Sequence, residues 1–230
     1  MQRLALIGPG RWGRILVESV QGISKTVTFT QAVARSPAKA AKWCAAQGIA
    51  LSDDLTTILS DPQIDGVVLA TPHSQHKDQI MQAVQAGKDL FCEKPIALTL
   101  ADAKTALQAV KNAGIVFAAG HNRRFLPAVE RMKTMIKSGD LGTILHIEGN
   151  MSSHVGFGEI YTSDMWRVAP GESPAGGLGA AGIHVIDTMI HLLGPVASVV
   201  AQSDRLVHKI DHDDITSMLL QFDNRATGYV

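Results

Sequence analysis

Residues 4–13 read Leu4-Ala5-Leu6-Ile7-Gly8-Pro9-Gly10-Arg11-Trp12-Gly13, an apolar run that enters a G-x-G-x-x-G turn close to the first residue. Each glycine has its own task. Gly8 permits a tight turn out of a strand, Gly10 lets a pyrophosphate approach the backbone, and Gly13 lets the following helix pack closely. Ile15, Leu16, Ser19 and Val20 then recur at helical spacing. The N–H groups at the start of such a helix face outward and favour an anion. The stretch predicts a dinucleotide-binding strand–turn–helix. The plainer alternative is an ordinary strand–turn–helix of an α/β protein.

The remainder of the first half repeats that alternation. Short apolar strands are expected at 4–7, 26–34, 66–70, 89–92 and 116–119, with helices near 11–21, 37–48, 73–86 and 99–112. Apolar strands alternating with helices predict an α/β fold: a Rossmann-type, doubly wound parallel sheet. Ligands bind beyond the carboxyl ends of such strands. Gly8, Ala34, Thr71, Glu93 and Gly120 each follow a predicted strand, so one crevice is expected to collect them.

After residue 120 the pattern changes. A helix is expected over 125–138, a strand over 143–152, a glycine-rich loop over 156–182 and a short helix over 183–193. Strands follow at 196–206 and 215–222, and 226–230 opens another. This predicts a second, α+β domain with an open, mainly antiparallel sheet. The expected division is 1–120 and 121–230. An unpaired sheet edge needs a cover: either a partner subunit supplies it, giving the expected homo-oligomer through the C-terminal sheet, or the chain is shorter than the fold requires.

Composition narrows the function classes. Hydrophobic residues make up 46% and charged residues 18% of 230, enough apolar matter for a sizeable core and against disorder. Formal net charge is zero and no basic run occurs, so neither nucleic acid nor a membrane surface is an expected partner. Cys44 and Cys92 sit in apolar contexts and read as buried thiols. With no signal-peptide pattern and no bilayer-length apolar stretch, a cytoplasmic protein acting on a small molecule is expected.

Several segments carry candidate chemistry. Strand two ends in Ala34-Arg35-Ser36, where a carboxylate about 20 residues beyond the turn would hold adenosine ribose hydroxyls. A guanidinium beside a hydroxyl suits a 2′-phosphate instead, so NADP is expected in preference to NAD. Arg35 as a solvated loop residue is the alternative. Thr71-Pro72-His73-Ser74-Gln75-His76 fits a turn and helix start, its histidines reading as cap or surface residues. Glu93-Lys94-Pro95 places two charges at the end of a buried strand, where burial costs free energy without a partner. A lysine there can hold a substrate oxygen or help move its proton; a surface loop is the alternative. His184, Asp187 and His191 fall on one helical face. His184 is placed to exchange a proton near neutrality, while Asp187 and His191 alternatively pair with each other. A metal on these three is the lesser alternative, for want of ligands from another segment; no metal is expected.

Together these motifs resemble the Gfo/Idh/MocA oxidoreductases, the relatives of glucose–fructose oxidoreductase and inositol dehydrogenase. The resemblance rests on Ile7–Gly13, Thr71–His76, Glu93-Lys94-Pro95, Asn122-Arg123-Arg124-Phe125, Trp166-Arg167, and Gly176-Gly177 leading to Gly182–Asp187. It implies an NAD(P)-dependent enzyme that passes a hydride between nicotinamide and a sugar-like or other small hydroxyl or carbonyl compound. It further implies Lys94 and His184 as catalytic residues. The implied cofactor surface comprises Gly8, Gly10, Arg11, Trp12, Gly13, Ala34, Arg35, Ser36, Thr71, Pro72, His73, His76, Glu93, Lys94, Asn122 and Arg124. The implied substrate contacts are Lys94, Trp166, Arg167, His184 and Asp187. Two departures stand out. Ala180 occupies the place, four residues before His184, where the family carries an Asp. Family members also continue further than this chain. Both leave open a non-catalytic dinucleotide-binding sensor or assembly protein of the same fold.

Overall fold

The strand β1 (Gln2–Ile7) alternates its side chains between two apolar cores, and that alternation organises the N-terminal half. In the computed structural model, which describes residues 1–153, 165–169, 171–173, 175–207 and 213–230, the chain forms two compact units, Met1–Gly120 and His121–Val230.

In the first unit β1 lies among β2 (Val27–Val33), β3 (Ala50–Ser52), β4 (Gly66–Leu69), β5 (Asp89–Cys92) and β6 (Phe117–Ala119). All pairings are parallel, in the order β3-β2-β1-β4-β5-β6. The chain therefore reverses its direction of winding between β1 and β4. Five helices accompany the sheet: α1 (Arg11–Glu18), α2 (Ala41–Ala46), α3 (Leu55–Ser60), α4 (His73–Gln85) and α5 (Leu100–Ala113). Period-two alternation sends Ala5, Ile7, Val67 and Leu69 into one core with Ile58, Ile80 and Val110. Leu6 and Val68 enter the other with Val17, Phe29 and Cys44. Both sheet faces are thus buried, which explains why central β4 is apolar along its whole length and β1 over residues 4–7.

Two elements fall outside the sequence expectation. β3 has three residues and α3 six, too short for their periodicity to register. A start signal was present: Asp54 caps α3, accepting from the Thr56 N–H at 2.8 Å and the Thr57 hydroxyl at 2.7 Å. The expected helix over 37–48 divides into a 3-10 turn at Pro37–Lys39 and α2. α5 follows expectation: Thr99 caps its start, and Gly114 at φ +68° ends it.

The second unit contains α6 (Pro127–Ser138), β7 (His146–Glu148), α7 (Ile183–Leu193), β8 (Val196–Asp204), β9 (Ile215–Phe222) and β10 (Thr227–Tyr229). Its sheet runs β7-β10-β9-β8 and is mixed: β10 pairs parallel with β7, while β9 pairs antiparallel with β10 and β8. On β9, Met218, Leu220 and Phe222 point into a core with Val129, Met189 and Leu192. The glycine-rich stretch expected as loop is partly helical. Leu178–Gly182 forms a π-helical turn that runs into α7; part of that stretch, including 156–164, lies outside the described residues. Among the described residues no helix is long and apolar enough to cross a membrane.

Candidate functional site

In the first unit the residues just past the strands remain tied to the sheet. The Gly8 N–H donates to Val33, Ala70 to Ile7, Glu93 to Leu69 and Gly120 to Cys92, at 2.8–3.0 Å. Main-chain pairing therefore holds the glycine turn, the Thr71 loop and Glu93-Lys94 along one carboxyl edge.

The turn itself follows from its glycines. Gly8 has φ +93°, and a Cβ there would lie 2.8 Å from the Ala70 carbonyl oxygen. A Cβ on Gly13 would lie 2.4 Å from the Gly8 oxygen, so α1 packs against the turn only without it. Gly10 meets nothing within 4 Å. It caps α1 with no side-chain hydrogen bond, and the first turn of that helix carries no acidic residue. An open glycine before uncapped helical N–H groups fits the pyrophosphate of a dinucleotide. Arg11 is exposed beside it.

At the end of β2, Ala34 is buried and donates its N–H to Ser52. Arg35 and Ser36 are exposed immediately beyond it, with no carboxylate between them.

Trp12 and Glu93 connect two of these loops. The Trp12 indole donates to Glu93 Oε1 at 2.7 Å, and the Lys94 N–H donates to Oε2 at 3.3 Å. Glu93 is 8% exposed, and burial holds its carboxyl above the usual range despite the Trp12 bond. A Cβ on Gly120 would lie 2.7 Å from Glu93 Oε1, so the carboxylate fills the place of a side chain on the next loop. Lys94 is half-buried, and the Lys94–Pro95 peptide is cis.

The Thr71–His76 segment differs in part from expectation. Pro72 is the N-cap of α4 and His73 begins the helix, in line with the turn and helix start read there. The Thr71 hydroxyl donates to Gln79 Oε1 at 2.6 Å, a partner eight residues on that no motif signals. His76 is neither a cap nor a surface histidine: it is 0% exposed. Its Nδ1 lies 2.7 Å from the Pro95 carbonyl oxygen and its Nε2 3.0 Å from that of Thr71. The ring thus joins two edge loops from inside and presents no surface for a ligand.

In the second unit α7 carries His184, half-buried, and Asp187, 8% exposed. The alternative of an Asp187–His191 pair gives way to another partner. Asp187 takes a two-pronged bond from Arg124, Nε at 2.9 Å and Nη2 at 2.6 Å, with His121 Nδ1 at 3.5 Å. The carboxylate holds the Arg124 guanidinium protonated more firmly than usual. At His191 the backbone carbonyl accepts from Lys133; desolvation, with the positive charges of Lys133 and Arg124, pushes the imidazole below its ordinary value. Asn122 is exposed in the 3-10 turn Asn122–Phe125, which also carries Arg124. Trp166 and Arg167 lie in another such turn, the guanidinium 4.3 Å from the Trp166 ring centre. Ala180 sits within the π-helical turn. Among the described residues no group of three or more His, Cys, Asp or Glu could hold a metal.

Residues 2–121 match the family model described as "Oxidoreductase family, NAD-binding Rossmann fold", and residues 129–230 that of the "GFO/IDH/MocA C-terminal domain". The chain is 31% identical to scyllo-inositol 2-dehydrogenase (NAD(+)) of Bacillus subtilis, over 99% of this chain and 66% of that one. A putative NADPH-dependent oxidoreductase from Desulfitobacterium hafniense superposes with a TM-score of 0.92 at 29% identity, covering 99% of this chain and 65% of the other. The WlbA dehydrogenase from Bordetella pertussis, in complex with NADH and UDP-GlcNAcA, gives 0.90 at 25% identity, with 100% and 66% coverage. The chain spans two thirds or less of the length of these relatives.

Proposed function

The chain belongs to the Gfo/Idh/MocA oxidoreductase family, with an NAD-binding Rossmann domain at its N-terminus, and from that premise we propose that it interconverts a hydroxyl and a carbonyl group on a sugar-like or other small substrate. When bound, the nicotinamide takes up the hydride from the carbinol carbon or returns it. The chain's own residues handle the oxygen and its proton. Lys94 directs its ammonium to the reacting oxygen, and His184 accepts the hydroxyl proton as the C–O bond becomes a carbonyl, returning it in reduction. The observation that carries this reading is the Trp12–Glu93 bond at 2.7 Å. It ties the residue preceding Lys94 to the glycine turn, so the lysine is held relative to the bound dinucleotide.

We propose NADP as the preferred cofactor. Arg35 and Ser36 stand exposed just beyond β2, where a carboxylate would be needed for the ribose hydroxyls of NAD. Fluorescence titration of NADPH and NADH tests this: NADPH should bind more tightly, and equal or tighter NADH binding would remove the argument from Arg35.

A screen of sugars and polyols by nicotinamide absorbance tests the reaction. Lys94→Ala and His184→Ala should each lower turnover by at least about a hundredfold while leaving NADPH affinity nearly unchanged. Turnover that survives Lys94→Ala would refute the assignment. Ala180 favours a second reading, a dinucleotide-binding protein without turnover. Tight cofactor binding with no oxidation or reduction across the screen would select it.

A further inference from the structure

Arg14 follows the third glycine of the turn and belongs to none of the motifs above. Its Nε donates to the Pro9 carbonyl at 3.0 Å, inside the glycine turn. Its Nη2 donates to the Lys39 carbonyl at 3.1 Å, in the 3-10 turn that closes the loop beyond β2. The guanidinium lies 5.3 Å from the Trp43 ring centre, and the Trp43 indole is itself held by Glu18 at 2.8 Å. That loop is compact: the Lys39 N–H returns to Ser36 at 3.1 Å, and Ala40 beneath it is 3% exposed.

One planar fork therefore joins the turn that receives the pyrophosphate to the loop that presents Arg35 and Ser36. Both acceptors are main-chain oxygens, so the tie fixes backbone to backbone. A guanidinium offers two donors in fixed relation, whereas an ammonium is a single point that cannot reproduce the span. The ring beneath it restrains the fork further. A dinucleotide must meet both loops at the separation set by its own covalent length, and a separation fixed beforehand saves the ordering cost of binding.

We infer that Arg14 is a positioning residue for the cofactor: it sets the spacing between the glycine turn and the ribose loop, and through that spacing the affinity for the adenosine half. The inference rests on dinucleotide binding by the first unit; Arg35 enters it only as a passenger on the loop.

The test titrates NADPH and NADH against the wild-type chain, Arg14→Gln, Arg14→Lys and Arg35→Ala, with melting temperature and amide hydrogen exchange followed on each. Arg14→Gln should weaken both cofactors by about tenfold and speed exchange at residues 35–40. Arg14→Lys should remain weakened, since the charge is kept and the fork is lost. Wild-type affinity in either Arg14 variant overturns the inference. So does weakened binding with unchanged exchange at 35–40, which would make Arg14 a direct phosphate contact. Arg35→Ala separates the two readings. If it leaves NADPH binding intact, the 2′-phosphate assignment fails, while the Arg14 result is read independently on NADH.

Discussion

At the scale of single residues, Gly10 and Gly13 belong to one motif for opposite reasons. A methyl at Gly13 meets backbone at 2.4 Å, whereas at Gly10 it meets nothing within 4 Å. Gly13→Ala should therefore unfold or strongly destabilise the first unit. Gly10→Ala should leave the melting temperature within about 2 °C of wild type while weakening NADPH binding, because the methyl occupies the ligand's approach. Calorimetry and fluorescence titration separate the two outcomes. Glu93 adds a pH dependence. Burial raises its carboxyl above the usual range, so the folded chain holds that proton more tightly than the unfolded one. Its contribution to stability is full below the ordinary carboxylate range and is lost as pH rises through the raised value. Glu93→Gln has no such loss. Its melting temperature relative to wild type should climb as pH rises from the ordinary carboxylate range upward. A flat difference over that rise would show that burial of Glu93 costs nothing. The glycines and the Glu93-Lys94 pair were legible in the sequence because their chemistry is local. His76 was misread as a cap or surface residue because its two carbonyl partners, 5 and 19 residues away, leave no trace in side-chain types.

At the scale of elements, the parallel sheet was legible because β4 and the inner parts of β1 and β5 are short unbroken apolar runs between helical patterns, while β3 and α3 were too short to register. The π-helical turn before α7 was read as loop because Gly177, Gly179 and Gly182 depress helix propensity. Such a turn changes the angular step along a helix. Ala180 and His184 therefore do not stand in the plain i, i+4 relation that their numbering suggests. α7 is instead anchored to the turn at 122–125 by Arg124 and Asp187, which are 63 residues apart. Arg124→Met strands the Asp187 carboxylate, whose side chain is 10% exposed. It should destabilise the chain by roughly 1–3 kcal/mol in urea unfolding, discounted because Arg124 itself is partly exposed. Arg124→Lys should recover only part of that loss.

At the scale of the whole chain, the carboxyl edge of the first unit draws on Gly8, Ala34, Thr71, Glu93 and Gly120, positions spread across that entire unit. No short fragment contains this edge; it exists only once β1, β2, β4, β5 and β6 have paired. A dinucleotide consequently has nothing to recognise in a partly formed sheet. It stabilises the finished unit by mass action and leaves earlier species untouched. The cofactor thus acts as a brake on unfolding rather than a template for folding. In a cell, the lifetime of this chain would follow the concentration of its nucleotide, whereas the rate at which new copies mature would not.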